Sequence, residues 1–352
     1  MDHGFHFCLN YLRVILKIEM PPTVSIIVPC LNEEKRIRVL LDALLTQTYP
    51  IGLMDVTIAD GGSLDQTREV VAAFQIEHPE LRLNVIDNLA GSIPAALNEA
   101  IKASNGVVIL RMDAHSAPYP DYVERSLAAL ESGKGANVGG IWEIRPGSNT
   151  WIARSIAAAA AHRLGVGDAL YRHTQVAAAV DTVPFGCFRR ELLNQVVGYD
   201  ETLLANEDYE FNARIRLSGH TIWLDPAIRS IYFSRASFDT LAQQYFRYGF
   251  WKLNMLRRYP GTLRWRQALP PVFVVSLVVG CILGFFWQEF FLLVIIELLV
   301  YFSVLGLAGL KLAITRKEYF LAIGLPLAIL VMHIAWGSGF LSSVLIGKRK
   351  SK

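Results

Sequence analysis

The feature that most constrains the fold of this chain is an apolar run that ends abruptly at polar residues. Residues 107–110 are apolar and mostly β-branched, and Arg111, Asp113 and His115 follow them closely. A continuous apolar run is typical of a parallel strand that is buried on both faces. Ligands bind where such strands present their carboxyl ends, so we predict that Asp113 and His115 face a binding crevice.

Asp113 and His115 together form a candidate metal site. A carboxylate oxygen and an imidazole nitrogen suit Mn²⁺ better than Mg²⁺, which prefers an all-oxygen shell. The alternative is that the aspartate caps the next helix and the histidine lies on the surface, which is the commoner outcome for an isolated D-x-H pattern. The rest of the sequence decides between these two interpretations.

Further strand-like runs precede this one and alternate with helical patterns. The predicted strands are 24–28, 54–59, 81–86 and 107–112. Asn32 and Ser63 are predicted helix caps, the second in a capping box with Gln66, and Ser92 begins a third helix. The alternation predicts an α/β domain with right-handed crossovers and a parallel sheet. No dinucleotide fingerprint follows the first strand and the sequence contains no P-loop, which disfavours a dinucleotide oxidoreductase or a P-loop ATPase.

Two pairs of acidic residues stand out in this scheme. Asp60 and Asp113 each follow a predicted parallel strand, so we expect their side chains to lie near each other. Like charges held together are costly unless a cation or hydrogen-bond donors occupy the site, and a metal–nucleotide complex would meet that need. Glu207 and Asp208 begin a helix predicted over 209–217, where simple complementation of the helix dipole, worth about 0.3–1 kcal/mol, is the alternative explanation.

The composition changes near residue 269, where long apolar runs replace ordinary soluble sequence. The whole chain is 53% hydrophobic with a net charge of only +3, so no strongly basic field indicates a nucleic-acid partner. The aromatic and cationic segment 239–258 is predicted to be an interfacial amphipathic helix. Residues 272–287 and 290–313 are long enough to span a bilayer. For 319–346, a kinked span and a re-entrant hairpin broken near Gly337 are both open.

These changes predict five segments in the chain. Residues 1–19 are expected to be an N-terminal extension without a signal-peptide pattern, with Met20 as a second candidate start. The other predicted segments are an α/β domain at 20–237, an interfacial segment at 238–268, a membrane region of about three segments at 269–347 and a basic tail at 348–352. The four cysteines form no close pairs, which favours free thiols in a reducing cytoplasm.

Five motifs in one order carry a resemblance to a known family. They are VSIIVPCLNE at 24–33, DGGS at 60–63, RMDAH at 111–115, ED at 207–208 and QYFRYG at 244–249. On these residues the chain resembles the inverting, family-2 glycosyltransferases of GT-A (Rossmann-like) fold, in particular membrane-bound enzymes of exopolysaccharide synthesis. His115 stands where the metal motif of the family usually ends in Asp, which leaves Mn²⁺ and Mg²⁺ both open. Tyr248 replaces the Trp of the Q-x-x-R-W motif, which weakens the analogy with processive synthases.

The resemblance implies a role for each matched residue on the donor side. Pro29 and Glu33 would line the nucleoside pocket, and Asp60 would accept a hydrogen bond from the uracil ring. Arg111 and Asp113 would hold the ribose and the diphosphate.

The resemblance likewise implies the metal, the base and the acceptor contacts. Asp113 and His115 would bind a divalent metal ion that neutralises the leaving nucleoside diphosphate. Asp208, beside Glu207, would be the general base that deprotonates the acceptor hydroxyl. The residues expected to contact the acceptor or a diphosphate near the membrane are Gln244, Arg247 and Tyr248.

The implied function is transfer of a sugar from a UDP-sugar, with UDP-glucose expected, to a hydroxyl of a polyprenyl-diphosphate-linked saccharide in exopolysaccharide biosynthesis. The expected location is a bacterial inner membrane, with several spans and a cytoplasmic catalytic domain. Expected partners are the UDP-sugar, the lipid-linked saccharide, membrane lipids and other exopolysaccharide-assembly proteins. The alternatives are a polyprenyl-phosphate sugar synthase and a degenerate domain that binds nucleotide without catalysis. A transporter is disfavoured because the chain has too few spans.

Overall fold

The computed structural model describes residues 21–346, so the predictions for the extension 1–19 and the tail 348–352 lie outside the described residues. Its first part is a nine-stranded sheet flanked by helices. The strands are β1 (Val24–Cys30), β2 (Met54–Asp60), β3 (Arg82–Asp87), β4 (Val108–Arg111), β5 (Ser116–Pro118), β6 (Asn137–Arg145), β7 (Ala178–Val180), β8 (Cys187–Arg189) and β9 (Ile222–Phe233). The helices of this part are α1 (Ile37–Leu45), α2 (Thr67–Glu77), α3 (Ile93–Ala103), α4 (Tyr122–Glu131), α5 (Trp151–Ala160), α6 (Arg163–Val166) and α7 (Glu207–Leu217).

The sheet is parallel in its first half and mixed as a whole. The strand order is β3-β2-β1-β4-β8-β6-β9-β5, and β7 pairs with β9. The strands β3, β2, β1 and β4 are parallel, which confirms the predicted α/β class. The alternation that predicted a parallel sheet ends at residue 115, and the strands after it make the sheet mixed, because β8 pairs antiparallel with both β4 and β6.

The central strand β1 delivers its side chains alternately to two hydrophobic cores. Ile26 and Val28 pack in the core that contains Leu40 of α1, whereas Ile27 packs with Leu97 of α3 on the opposite face. This alternation follows from the two-residue repeat of a strand. Because both faces of β1 are covered, its polar side chain Ser25 is buried, and exposed polar residues lie only beyond the ends of this strand.

Two predicted helix caps belong instead to the loops at those strand ends. Asn32 has a left-handed backbone with φ of 54°, and its Oδ1 accepts from the Leu64 backbone N–H at 2.8 Å. The Ser63 hydroxyl donates to Asp60 Oδ1 at 2.5 Å and accepts from the Asn32 backbone N–H at 2.8 Å, while α1 and α2 begin only at Ile37 and Thr67. Both cap predictions are therefore wrong, because the two side chains tie the loop after β1 to the loop after β2. The predicted start of α3 is confirmed, since Ser92 is its N-cap and accepts from the Ala95 N–H at 3.4 Å.

The second part of the described chain consists of long helices. They are α8 (Phe238–Arg258), α9 (Trp265–Gly284), α10 (Gln288–Arg316) and α11 (Leu321–Ile346). The last three are each long and apolar enough to cross a membrane. The hairpin alternative is wrong, because α11 continues unbroken through Gly337. A Cβ on Gly337 would lie 2.6 Å from the Pro270 carbonyl oxygen, so this glycine permits close helix packing and does not end the helix.

The helix α8, predicted as an interfacial segment, joins the two parts of the molecule. Leu241 and Tyr245 of α8 share a hydrophobic core with Ile156 of α5 and Met332 of α11. The backbones of α8 and α11 approach closely, since a Cβ on Gly249 would lie 2.1 Å from the Trp336 carbonyl oxygen. This packing fixes the apolar helices against the sheet, and the domain boundaries stay predictions.

Candidate active site

Arg111, the last residue of β4, is buried and pairs with three carboxylates. Its Nη2 lies 3.0 Å from Asp113 Oδ1 and 3.0 Å from Glu207 Oε1, and its Nη1 donates to Asp208 Oδ1. Burial opposes the charge of this guanidinium, but the three carboxylates hold its pKa well above its usual range. The structure therefore brings three predicted site carboxylates together around a fourth predicted site residue, the cation Arg111. A contact of Arg111 with the donor stays a prediction.

Asp208 lies in the first turn of α7, where the chain turns sharply into the helix. Asn206 precedes this turn with a left-handed φ of 66°, and its side-chain amide donates to the Tyr248 carbonyl oxygen at 3.1 Å. Burial raises the pKa of Asp208, the Arg111 charge opposes this shift, and the neighbouring Glu207 adds to it. A partly buried carboxylate with a raised pKa is suited to accept a proton from a substrate hydroxyl. Dipole complementation alone would not require this buried pairing with β4.

Asp113 and His115 lie beside the Arg111 cluster, and Glu33 supports the histidine. His115 Nδ1 is 2.9 Å from Glu33 Oε1, a contact between the loop after β1 and the residues after β4. Burial disfavours the imidazolium, but Glu33 and Asp113 together raise the pKa of His115. Within residues 21–346, no three His, Cys, Asp or Glu side chains converge as a ready-made metal site. In the same range, Asp113 Oδ2 and His115 Nε2 have no protein hydrogen-bond partner.

Asp60 is buried at the end of β2 and has its own partners. Its Oδ2 accepts from Arg68 Nε at 2.6 Å and from the Ser63 backbone N–H at 3.1 Å. Burial alone would raise the pKa of Asp60, but the bonds from Ser63 and Arg68 lower it below its usual value. β1 stands between the strands that carry Asp60 and Asp113. Each carboxylate has its own cation: Arg68 pairs with Asp60, and Arg111 pairs with Asp113. The repulsion expected between the two carboxylates is thus balanced by one arginine at each strand end.

The predicted acceptor residues lie on α8, but they do not all face the same cavity. Tyr248 lines the cavity beside Asp208, and Gln244 Nε2 donates to the Tyr248 hydroxyl at 3.0 Å. Arg247 donates instead to the Leu204 carbonyl oxygen and does not line this cavity. Contact of these three residues with an acceptor stays a prediction.

The cavity beside Asp208 contains residues that no motif indicated. It has a volume of about 210 Å³ and reaches from α7 to Pro270 of α9 and Trp336 of α11. Trp142 and Arg172 form part of its wall, and the Trp142 ring stacks on Tyr232 at a centroid distance of 4.2 Å. Isolated aromatic and arginine residues carry no positional signal in the sequence, so only the fold identifies these two.

Comparisons with known proteins agree with this architecture. Residues 25–197 match the family described as Glycosyl transferase family 2. The chain is 30% identical to the succinoglycan biosynthesis protein ExoA of Rhizobium meliloti (strain 1021), over 94% of this chain and 98% of that protein. It is 26% identical to the dolichyl N-acetyl-alpha-D-glucosaminyl phosphate 3-beta-D-2,3-diacetamido-2,3-dideoxy-beta-D-glucuronosyltransferase of Methanococcus voltae, over 94% of this chain and 99% of that protein.

The fold resembles a solved structure over nearly its whole length. The mannosyltransferase PcManGT from Pyrobaculum calidifontis, in complex with GDP-Man and Mn²⁺, aligns with a TM-score of 0.60 and 17% identity, over 98% of this chain and 95% of that one. The predicted GT-A fold, a mixed-sheet domain followed by apolar helices, is confirmed. The matched family and the relative that is 30% identical over 94% of this chain lead to one conclusion: this chain belongs to glycosyl transferase family 2.

Proposed function

We propose that the protein is a membrane-bound inverting glycosyltransferase that moves a sugar, most simply glucose, from a UDP-sugar to a hydroxyl of a polyprenyl-diphosphate-linked saccharide. The observation that carries the proposal is the position of Asp208, which belongs both to the Arg111 cluster and to the cavity that reaches α9 and α11. The names of two relatives support it, since one is named for succinoglycan biosynthesis and the other for transfer involving a dolichyl-linked sugar phosphate.

The donor nucleotide would bind over the ends of β1, β2 and β4. Pro29 and Glu33 lie at the end of β1 and in its following loop, and Asp60 ends β2. In a doubly wound sheet, ligands bind in the crevice at the carboxyl ends of the strands. Asp60 Oδ2 already accepts two hydrogen bonds, whereas Oδ1 accepts one and retains a lone pair for a uracil N–H.

The residues present fit a divalent cation that is shared with the diphosphate. The donor set consists of one carboxylate oxygen of Asp113 and one imidazole nitrogen of His115. Cations at phosphate-transfer sites are commonly held by one or two protein ligands together with substrate phosphates, so a complete protein cage is unnecessary. When bound, such a cation would neutralise charge on the departing nucleoside diphosphate.

Asp208 would act as the general base. Its carboxylate takes the proton of the acceptor hydroxyl while that oxygen forms a bond to the anomeric carbon of the sugar. The bond from this carbon to the nucleoside diphosphate breaks on the opposite side, and the electron pair leaves with the diphosphate. One displacement of this kind inverts the anomeric configuration and needs a single base. Arg111 holds Asp208 in place and balances its charge.

The apolar helices would place this chemistry at the cytoplasmic face of a bacterial inner membrane. Nucleotide sugars are cytoplasmic metabolites, so the α/β domain has to lie on that side. The spans α9 and α10 then return the chain to the cytoplasm at Lys311, Arg316 and Lys317, as the positive-inside rule expects. Membrane lipids and other assembly proteins would be the partners of these helices.

A transfer assay with purified protein in lipid nanodiscs tests the proposal. A panel of UDP-sugars is offered with two acceptors, a polyprenyl-diphosphate-linked galactose and polyprenyl phosphate, and the lipid products are weighed by mass spectrometry. We expect one added sugar on the diphosphate-linked saccharide. Addition to polyprenyl phosphate alone would establish the synthase alternative. UDP binding without transfer or hydrolysis of any UDP-sugar would establish the degenerate alternative.

A further inference from the structure

Arg172 is a cation without a carboxylate partner among the residues that the structure describes. Its guanidinium carbon lies 5.0 Å from the centroid of the Trp142 ring and 5.2 Å from that of Tyr171. The Arg172 Nη1 donates one long hydrogen bond, to the Ala160 carbonyl oxygen at 3.4 Å. Aromatic faces hold a guanidinium in position without using its hydrogen-bond donors. These donors, at the wall of the cavity beside Asp208, therefore suit a phosphate oxygen.

The other arginine that lines this cavity is not available in this way, because it is paired with carboxylates. Arg266 donates to Asp168 and, at 2.8 Å, to Asp181 Oδ2, so its charge is already balanced. Arg172 also lies away from the proposed donor site, because Pro29, Glu33, Asp60 and Asp113 do not line its cavity. Its position therefore favours an anionic group of the acceptor over the diphosphate of the donor.

A second cavity continues from the first toward the faces of the apolar helices. The two are lined in common by Gly165, Arg266, Pro270 and His333. The second has a volume of about 520 Å³ and lies between α9 and α10. Its outer wall is apolar and solvent-accessible in the isolated chain, with Val300 of α10 59% exposed.

The groove between α9 and α10 also has a basic side chain in its wall. Arg163 of α6 lines it, is exposed, and forms no ion pair within the described part of the chain. The passage thus runs from a carboxylate through two unpaired arginines, Arg172 and Arg163, to an apolar wall. The order of these side chains along the passage matches the order of chemical groups along a lipid-linked saccharide: hydroxyl, sugar, diphosphate and hydrocarbon.

We propose that this passage is the acceptor site, with the isoprenoid chain in the groove between α9 and α10 and the diphosphate at Arg172 and Arg163. The acceptor enters sideways from the bilayer, and its terminal sugar reaches Asp208. This inference rests on the proposed function, because it takes a polyprenyl diphosphate as the anchor of the acceptor.

Direct binding tests the phosphate end of the site. Affinities for farnesyl diphosphate, farnesol and UDP are measured by isothermal titration calorimetry of the full chain in detergent. No sugar donor is present, so no transfer takes place. We expect Arg172→Gln to weaken farnesyl diphosphate binding about ten- to a hundredfold, since hydrogen bonds to charged groups are lost. Farnesol and UDP affinities stay unchanged, and the unchanged UDP affinity also shows that the variant is folded. Arg229→Gln is the control, because Arg229 lies on the Tyr119 ring at 4.4 Å, away from the cavity. Equal losses for UDP and farnesyl diphosphate, or no loss at all, would overturn the assignment.

A pair of neighbouring substitutions tests the tail end. Val300→Trp fills the groove and is expected to weaken farnesyl diphosphate and farnesol binding at least about fivefold, with inorganic diphosphate unaffected. Leu299→Trp is the matched control, since Leu299 is 62% exposed on the same helix but does not line the groove. Equal effects of the two variants would overturn the location of the tail. Because these measurements need no sugar transfer, they decide the acceptor site even if the transfer assay fails.

Discussion

His115 Nδ1 lies 2.9 Å from Glu33 Oε1, so the residue that follows β4 is held by the loop that follows β1. The two strands are parallel neighbours, which brings their carboxyl ends together. A carboxylate behind a histidine fixes the ring orientation and leaves Nε2 as the metal-binding atom. The resemblance implied a place in the nucleoside pocket for Glu33, which stays a prediction, and the structure shows its contact with His115.

This contact predicts that Glu33 controls metal affinity. Glu33→Gln removes the charge behind the ring, so the Mn²⁺ concentration for half-maximal activity should rise by roughly 10- to 100-fold. The measurement is a Mn²⁺ titration of activity at saturating donor. Glu34→Gln is the control, because the Glu34 carboxylate accepts from the Gln66 backbone N–H and does not contact the histidine. Equal curves for the two variants would count against a metal role for His115.

The identity of residue 115 should set the preference between metals. Imidazole favours Mn²⁺ over Mg²⁺, whereas an all-oxygen set favours Mg²⁺. We therefore expect His115→Asp to shift the ratio of Mn²⁺-supported to Mg²⁺-supported activity toward Mg²⁺, and His115→Ala to lose activity at limiting metal. Activity of each variant after chelation and addition of one metal measures this ratio. A His115→Ala enzyme as active as wild type at limiting metal contradicts the ligand assignment.

The raised pKa of Asp208 predicts an unusual pH dependence. Only the deprotonated carboxylate can accept a proton, so kcat should rise with pH through the pKa of Asp208. Because burial raises that pKa, the acid limb should lie at higher pH than an ordinary aspartate would give. Asp208→Asn should lower kcat by roughly 10²–10⁴-fold with little change in UDP affinity, whereas Asp60→Asn should weaken UDP binding. Asp200→Asn, which removes a partner of Arg258, is the control.

Lys252 of α8 is fully buried with its ammonium 3.6 Å from the Tyr209 ring centroid. Burial lowers the pKa of Lys252 to about 7, against the attraction of Asp181. In the unfolded chain the pKa is about 10.4, so stability rises as pH increases from 7 to 10, where only the unfolded state keeps the proton. Below pH 7 Lys252 is protonated in both the folded and the unfolded state, so the folded state bears the full free-energy cost of burying the charged ammonium.

Replacing this lysine should therefore stabilise the protein in a pH-dependent way. Lys252→Met should raise Tm most at pH 6, and the gain should shrink toward pH 10. Thermal unfolding in detergent at several pH values measures the difference. Lys134→Met is the control, because the exposed Lys134 also contacts a ring, that of Trp223 at 5.2 Å. A gain that is the same at every pH would contradict the buried-charge explanation.

The sequence predicted the parts of the fold that depend on local patterns. The strands β1, β2 and β4 are visible because burial on both faces selects apolar, β-branched runs, whereas β3 is mostly exposed at the edge of the sheet. The strands β5 to β9 were not predicted, because three of them are only three residues long and the pairing of all five is long-range. Asn32 and Ser63 have the residue types of helix caps, and only the tertiary structure shows that their side chains join the loop after β1 to the loop after β2.

In the candidate site too, the sequence predicted local features but not the contacts between distant residues. Strand ends and motifs identified Asp113 and Asp208 separately, but their common partner Arg111 joins positions almost a hundred residues apart. No local pattern reports such a contact. Trp142 and Arg172 have no motif at all, and the fold alone brings them to the cavity.

The anomeric configuration of the product tests the central claim most directly. Wild-type enzyme and Asp208→Asn are incubated in nanodiscs with UDP-glucose and a lipid-linked galactose acceptor, and the released saccharide is examined by proton NMR. UDP-glucose carries the α configuration, so one displacement with Asp208 as base predicts a β-linked product from the wild type and almost none from Asp208→Asn. An α-linked product, or equal product from both enzymes, would contradict the account.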